Sequence, residues 1–162
     1  METSVKEKPT PEDVALWQRW LAGQANNRAW SLAEQASRSA EQDEEMLGAA
    51  HAAMYFWGIV GNDNNKAHAA QLLAHVYAFL GMPDHAARYL AKAQPVLLAS
   101  TAEPWERALA HAIAANVAAA SGNSALHREH FDKATEQVAA LADAEERAIL
   151  EATLRVIPKP GR

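Results

Sequence analysis

Apolar and small side chains recur at helical spacing along almost the whole chain, and no segment alternates with the period of two that a half-buried strand needs. Thr10-Pro11-Glu12-Asp13 reads as a helix start, with a hydroxyl N-cap, proline at the first helical position and Asp13 placed to close a capping box. Val14, Trp17 and Leu21 follow as an apolar stripe, with Gly23 as the expected stop. A second helix is expected from about Asn26 to Ser37, with Trp30 and Ala33 on one face. The longest helix runs from Ala40 to Val60, with Met46, Ala50, Ala53, Trp57 and Val60 as its buried stripe and Gly61 at its end. Asn62-Asp63-Asn64-Asn65 supplies the next cap, and the helix behind it reaches Leu80, with Gly81 just beyond. Further helices are expected over Pro83–Leu98, distorted at Pro95, and from Pro104 to short of Gly122. The last two cover Ser124–Leu141 and Ala144–Val156, before Pro158 and Pro160. The expectation is an all-α fold of seven to eight helices in one domain over residues 1–162, with residues 1–9 a frayed polar tail.

Part of the pattern repeats. Gly81 and Gly122 lie 122 − 81 = 41 residues apart, and at the same offset Ala74 meets Ala115, Leu90 meets Phe131 and Ala93 meets Ala134. Small residues at such positions let antiparallel helices approach closely, and large ones fill the holes between them. The second copy departs twice: Ala118 stands where the first has Tyr77, and His127 where it has Ala86. Residues 67–141 are the clearest two repeats. Leu73-Ala74, Tyr77, Gly81, Ala86, Leu90 and Ala93 stand at the spacing of a tetratricopeptide repeat, and the segment resembles that family. The resemblance implies antiparallel helix pairs stacked as a short solenoid, an architecture that normally binds a partner rather than catalyses. Upstream, His51-Ala52-Ala53 through Phe56-Trp57 to Val60-Gly61 is similar to a motif in a group of small bacterial α-helical proteins. That similarity implies a fold and no particular reaction.

Composition narrows the picture. The chain is 49% hydrophobic and 22% charged, enough apolar material for a folded core. At 162 residues it can bury roughly two-thirds of its unfolded surface. The net charge is −5, from 15 basic and 20 acidic residues, and the basic ones are dispersed rather than clustered. That argues against nucleic acid or an anionic membrane as a partner. There is no cysteine, so no disulfide and no thiolate metal site. No apolar leader and no long apolar span is visible, which makes cytoplasmic the expected location.

Seven histidines raise the question of a metal. His68 and His75 are seven apart, which puts their Cβ atoms about 10 Å apart along one helix, too far to share an ion unaided. His127 and His130 are neighbours on one helix face, but no HExxH accompanies them. No metal and no cofactor is expected. GxSxG, Walker and GxGxxG motifs are missing, and no catalytic residue is assigned. The tetratricopeptide resemblance offers a different role. Its ligand-facing positions, carried onto the first copy, fall on His68, Gln71, His75, Ala78 and Phe79; on the second they fall on Leu109, Ala112, Asn116, Ala119 and Ala120. His68, Gln71, His75, Phe79 and Asn116 are therefore the groove candidates, with Arg28 and His51 as secondary ones. The family's clamp for a C-terminal carboxylate uses Lys or Arg at these positions, and none is present.

The resulting expectation is a non-catalytic module that binds a protein or peptide through a partly polar concave groove, or its own copy as a homodimer. The alternative is an all-α enzyme or small-molecule sensor with a His-lined pocket. Self-association is suggested by Val14, Leu16, Trp17, Trp20 and Leu21 near one end and Ile149, Leu150, Leu154 and Ile157 near the other. For the five tryptophans, core packing is the first explanation.

Overall fold

The computed structural model describes residues 8–161. Of the tail expected to fray, residues 1–7 lie outside the described residues, and Lys8 and Pro9 precede the first helix. The described residues form seven helices and no strand: α1 (Pro11–Ala33), α2 (Ala40–Val60), α3 (Asp63–Phe79), α4 (Pro83–Leu97), α5 (Pro104–Ala120), α6 (Ser124–Ala139) and α7 (Ala144–Val156).

The caps explain most of the starts. Thr10 Oγ1 accepts the Asp13 N–H, and the Asp13 carboxylate accepts the Thr10 N–H, each at 3.1 Å. Ser39 with Gln42, and Asn62 with Asn65, close the same reciprocal box at α2 and α3. The ends of α3 and α5 are equally specific. Gly81 and Gly122 adopt φ of +68° and +70°, a region that only glycine enters freely. Behind each glycine the chain closes a Schellman motif: Met82 N–H reaches Tyr77 C=O, and Asn123 N–H reaches Ala118 C=O, both at 2.9 Å.

One expected boundary is corrected. Gly23 does not stop a helix, and the segments expected as two helices are a single one, α1, that ends at Ala33. A glycine inside a helix costs only about 1 kcal/mol, and α1 recovers it by packing along α2. The buried residues of α1 are Ala22, Ala29, Leu32 and Ala33, on both sides of the expected break between Gly23 and Asn26.

The helices pack as three consecutive pairs, α1 with α2, α3 with α4 and α5 with α6. The first helix of each later pair also meets both helices of the pair before it: α3 touches α1 and α2, and α5 touches α3 and α4. Helix α7 then packs on α5 and α6. The 41-residue register is carried through the fold, since α3 begins at Asp63 and α5 at Pro104, and 104 − 63 = 41. Ala74, Ala115, Ala93 and Ala134 are all buried at helix contacts, and Leu90 and Phe131 are both half-buried. The departures are absorbed at matching buried sites, Ala118 opposite Tyr77 in register and His127 opposite Ala86.

The core sits along α3 and α5, around Leu72, Leu73, Val76, Ile113 and Val117. Core packing does not account for all the tryptophans. Trp17 is 60% and Trp20 55% exposed, their rings edge to face at 5.9 Å, whereas Trp30, Trp57 and Trp105 are half-buried. Among the described residues, the burial of α1 begins only at Ala22, and the larger apolar side chains before it stay exposed. Helix α7 does not cover them; Val14, Leu16 and Leu21 are exposed as well.

Candidate functional site

The principal cleft, about 600 Å³, is lined by α1, α3 and α5, the first helices of the three pairs, with α7 as its fourth side. Helix α1 contributes Asn26, Asn27, Trp30 and Glu34, one turn apart on a single face. Helix α3 contributes His68, and α5 contributes Trp105 and Leu109. Helix α7 closes the cleft with Glu146, Ile149, Leu150 and Thr153.

His68 is held rather than free. Its Nε2 donates to Glu106 Oε1 at 2.8 Å, and its ring stacks on Trp105 at 5.3 Å with planes 13° apart. Asn64 Nδ2 donates to the same oxygen at 2.9 Å, and Glu106 Oε2 accepts the Glu103 N–H at 2.9 Å. Glu106 is buried, and burial alone would raise its pKa; the hydrogen bonds from His68, Asn64 and Glu103 outweigh this and hold it below the ordinary carboxylate range. An ionised carboxylate only accepts, so the His68 proton facing it is fixed on Nε2. Glu34, at the other wall, is shifted upward by partial burial, with Arg155 offsetting part of the effect.

Of the groove candidates, only His68 reaches this cleft. Gln71 and His75 are fully buried behind it, and Asn116 nearly so. The His75 ring lies between those of Trp30 and Phe79, 5.4 and 4.4 Å away. His75 and Asn116 do come together: Asn116 Nδ2 donates to His75 Nδ1 at 3.0 Å. His75 must then accept at Nδ1, which makes it the neutral tautomer with its proton on Nε2. Burial, and secondly the charge of Arg38, lower its pKa to about 3. His75 Nε2 and both side-chain atoms of Gln71 have no hydrogen-bond partner among the described residues.

Phe79 and Asn116 border a second, smaller cleft of about 370 Å³ with His127 and Pro158. The Arg38 guanidinium lies 4.9 Å over the Phe79 ring, and His127 Nε2 donates to the Pro158 carbonyl at 2.8 Å. The secondary candidates stand apart from both clefts. Arg28 grips Glu45 with two hydrogen bonds, of 2.6 and 2.8 Å, and straps α1 to α2. His51 Nε2 lies 2.7 Å from the Tyr77 hydroxyl, in a ring cluster with Tyr89.

His130 pairs with His111 rather than with His127, Nδ1 to Nδ1 at 2.9 Å. Burial, then the neighbouring His130, lowers His111 to about 4. Among the described residues no three His, Asp or Glu side chains gather in a way that could hold a metal ion, and no helix is long and apolar enough to cross a membrane.

No family model matches the chain, and no curated protein or solved structure matches it either.

Sequence reasoning missed Trp105, Glu106 and the contribution of α7. Glu106 is 38 residues from His68, and its only sequence signal is the Glu103-to-Glu106 spacing of a capping box. The α7 residues lie outside the repeat, so its register does not point to them.

Proposed function

We propose that this chain is a tetratricopeptide-like helical-repeat binding module that holds a peptide segment of a protein partner in the cleft between α1, α3, α5 and α7. One observation carries the reading: a cleft of about 600 Å³ is lined by the first helices of all three pairs, with two half-buried indoles at its walls. A volume of about 600 Å³ lies within the range of ordinary ligand pockets. Mostly apolar walls with a few fixed polar groups suit recognition of side chains, and aromatic rings supply contact area with little loss of side-chain freedom. The His68–Glu106–Asn64 network supports the reading by holding one wall in a single geometry before any ligand arrives.

The test is selection from a phage-displayed random peptide library on the full-length protein. Enriched peptides should compete with one another. They should bind at least about tenfold more weakly, a loss of about 1.4 kcal/mol, to Ile149→Arg, which fills the cleft from an exposed position. No enrichment, or undiminished binding to Ile149→Arg, contradicts the proposal.

A second reading has its own observation. Leu16, Trp17, Trp20, Tyr55 and Ile59 are each at least half exposed on α1 and α2, an apolar surface of the kind that marks association. It favours a homodimer, the arrangement most common among soluble oligomers. Light scattering over a concentration series tests it, and a constant mass of 17.6 kDa contradicts it.

A further inference from the structure

The lining of the cleft is electrically one-sided. Among the described residues it contains two carboxylates, Glu34 and Glu146, and two indoles, Trp30 and Trp105, but no lysine or arginine. We infer that the peptide held there enters through a basic side chain, with its charge beside the indoles of Trp30 and Trp105 and toward Glu34 and Glu146. This inference rests on the cleft being the binding site proposed above.

The physical case has three parts. An indole face carries the negative side of the ring quadrupole, and tryptophan is the best of the aromatic partners for a cation. Arg155 offsets Glu34 in part, but it is not among the described lining residues. The chain as a whole, at −5, also attracts cations rather than anions.

A lone ammonium or guanidinium does not fill about 600 Å³. The remaining wall, Leu109, Ile149 and Leu150, is aliphatic and calls for apolar groups beside the charge. A lysine or arginine flanked by leucine supplies both, because its own methylene stem also packs on apolar surface. An anionic segment meets the opposite situation, with two carboxylates in the lining and no lysine or arginine among its described residues.

The experiment uses the full-length protein and two capped peptides, Ser-Leu-Arg-Leu-Ser and Ser-Leu-Gln-Leu-Ser, titrated against tryptophan fluorescence and by calorimetry. The arginine peptide should bind about tenfold more tightly, a preference that raised salt erodes. In the protein carrying both Glu34→Gln and Glu146→Gln, whose fold is verified by circular dichroism, the two peptides should differ by less than about threefold. Equal binding of both peptides to the native protein overturns the basic side chain while leaving peptide binding intact. Failure of both, with library peptides of other composition still displaced by Ile149→Arg, overturns it in the same way. Free arginine amide binding as tightly as the arginine peptide overturns the peptide as its source. Failure of every peptide removes the parent reading along with this one.

Discussion

Helices α3 and α1 use similar residue types to opposite effect. Helix α3 buries eleven of its 17 residues, including Gln71 and His75, and is enclosed on nearly every side by α1, α2, α4 and α5. Helix α1 buries four of 23, all from Ala22 onward, and leaves its larger apolar side chains in solvent. Burial here follows the number of neighbours rather than the apolarity of the residue. Alanines along α3 allow those neighbours to come close, and polar residues on it are enclosed with them. In the first half of α1, among the described residues, the bulky side chains stay exposed and none is buried.

The largest expected effect lies at the crowded helix and its partner α4. Ala74→Leu or Ala93→Leu should lower stability by about 1–3 kcal/mol, because neither site has room for a larger side chain. The counterpart changes Trp17→Ser and Trp20→Ser should stay within about 0.5 kcal/mol for the monomer. Urea unfolding of the set breaks the comparison if the two classes of variant shift alike.

Acid should expose the enclosed polar residues next. His75 and His111 bind protons less readily in the folded chain than at the ordinary histidine value of 6.5, with folded pKa values of about 3 and about 4. Protonation therefore favours the unfolded chain. Their contribution is complete above about pH 6.5 and is lost as pH falls toward the folded values. His75 alone should give a slope of about 1.4 kcal/mol per pH unit within that window. Urea midpoints measured from pH 7 to pH 4.5 should fall, and more gently in His75→Gln. An unchanged slope in that variant would show that His75 is not the group responsible.

The smallest effect on folding should come with a visible effect on association. Trp17→Ser with Trp20→Ser, nearly silent in stability, should abolish any concentration-dependent mass seen by light scattering. Association that survives both changes would place the contact elsewhere than on α1.

How much of this was legible in the sequence follows the same contrast. Helix caps at Thr10 and Asn62, the glycine turns at Gly81 and Gly122, and the 41-residue register are local or periodic signals, and each is visible in the residues themselves. The continuity of α1 through Gly23 is not, because packing along α2 overrides a weak local preference. For the site, His68 was legible as a groove position, but its partner Glu106 and the facing residues Glu146 and Ile149 come from distant segments. Gln71, His75 and Asn116 were legible as groove positions, while their burial depends on tertiary packing, such as that of Trp30 on His75, which the repeat does not encode.

The central claim is that ligand enters between α1, α3, α5 and α7. The five indole N–H resonances of the full-length protein, assigned by single Trp→Phe substitutions, test it most directly during titration with the arginine peptide. The resonances of Trp30 and Trp105 should move with the fraction bound, while those of Trp17, Trp20 and Trp57 stay in place. Movement of Trp17 and Trp20 with Trp30 and Trp105 unchanged would contradict the account and transfer the binding surface to the exposed half of α1.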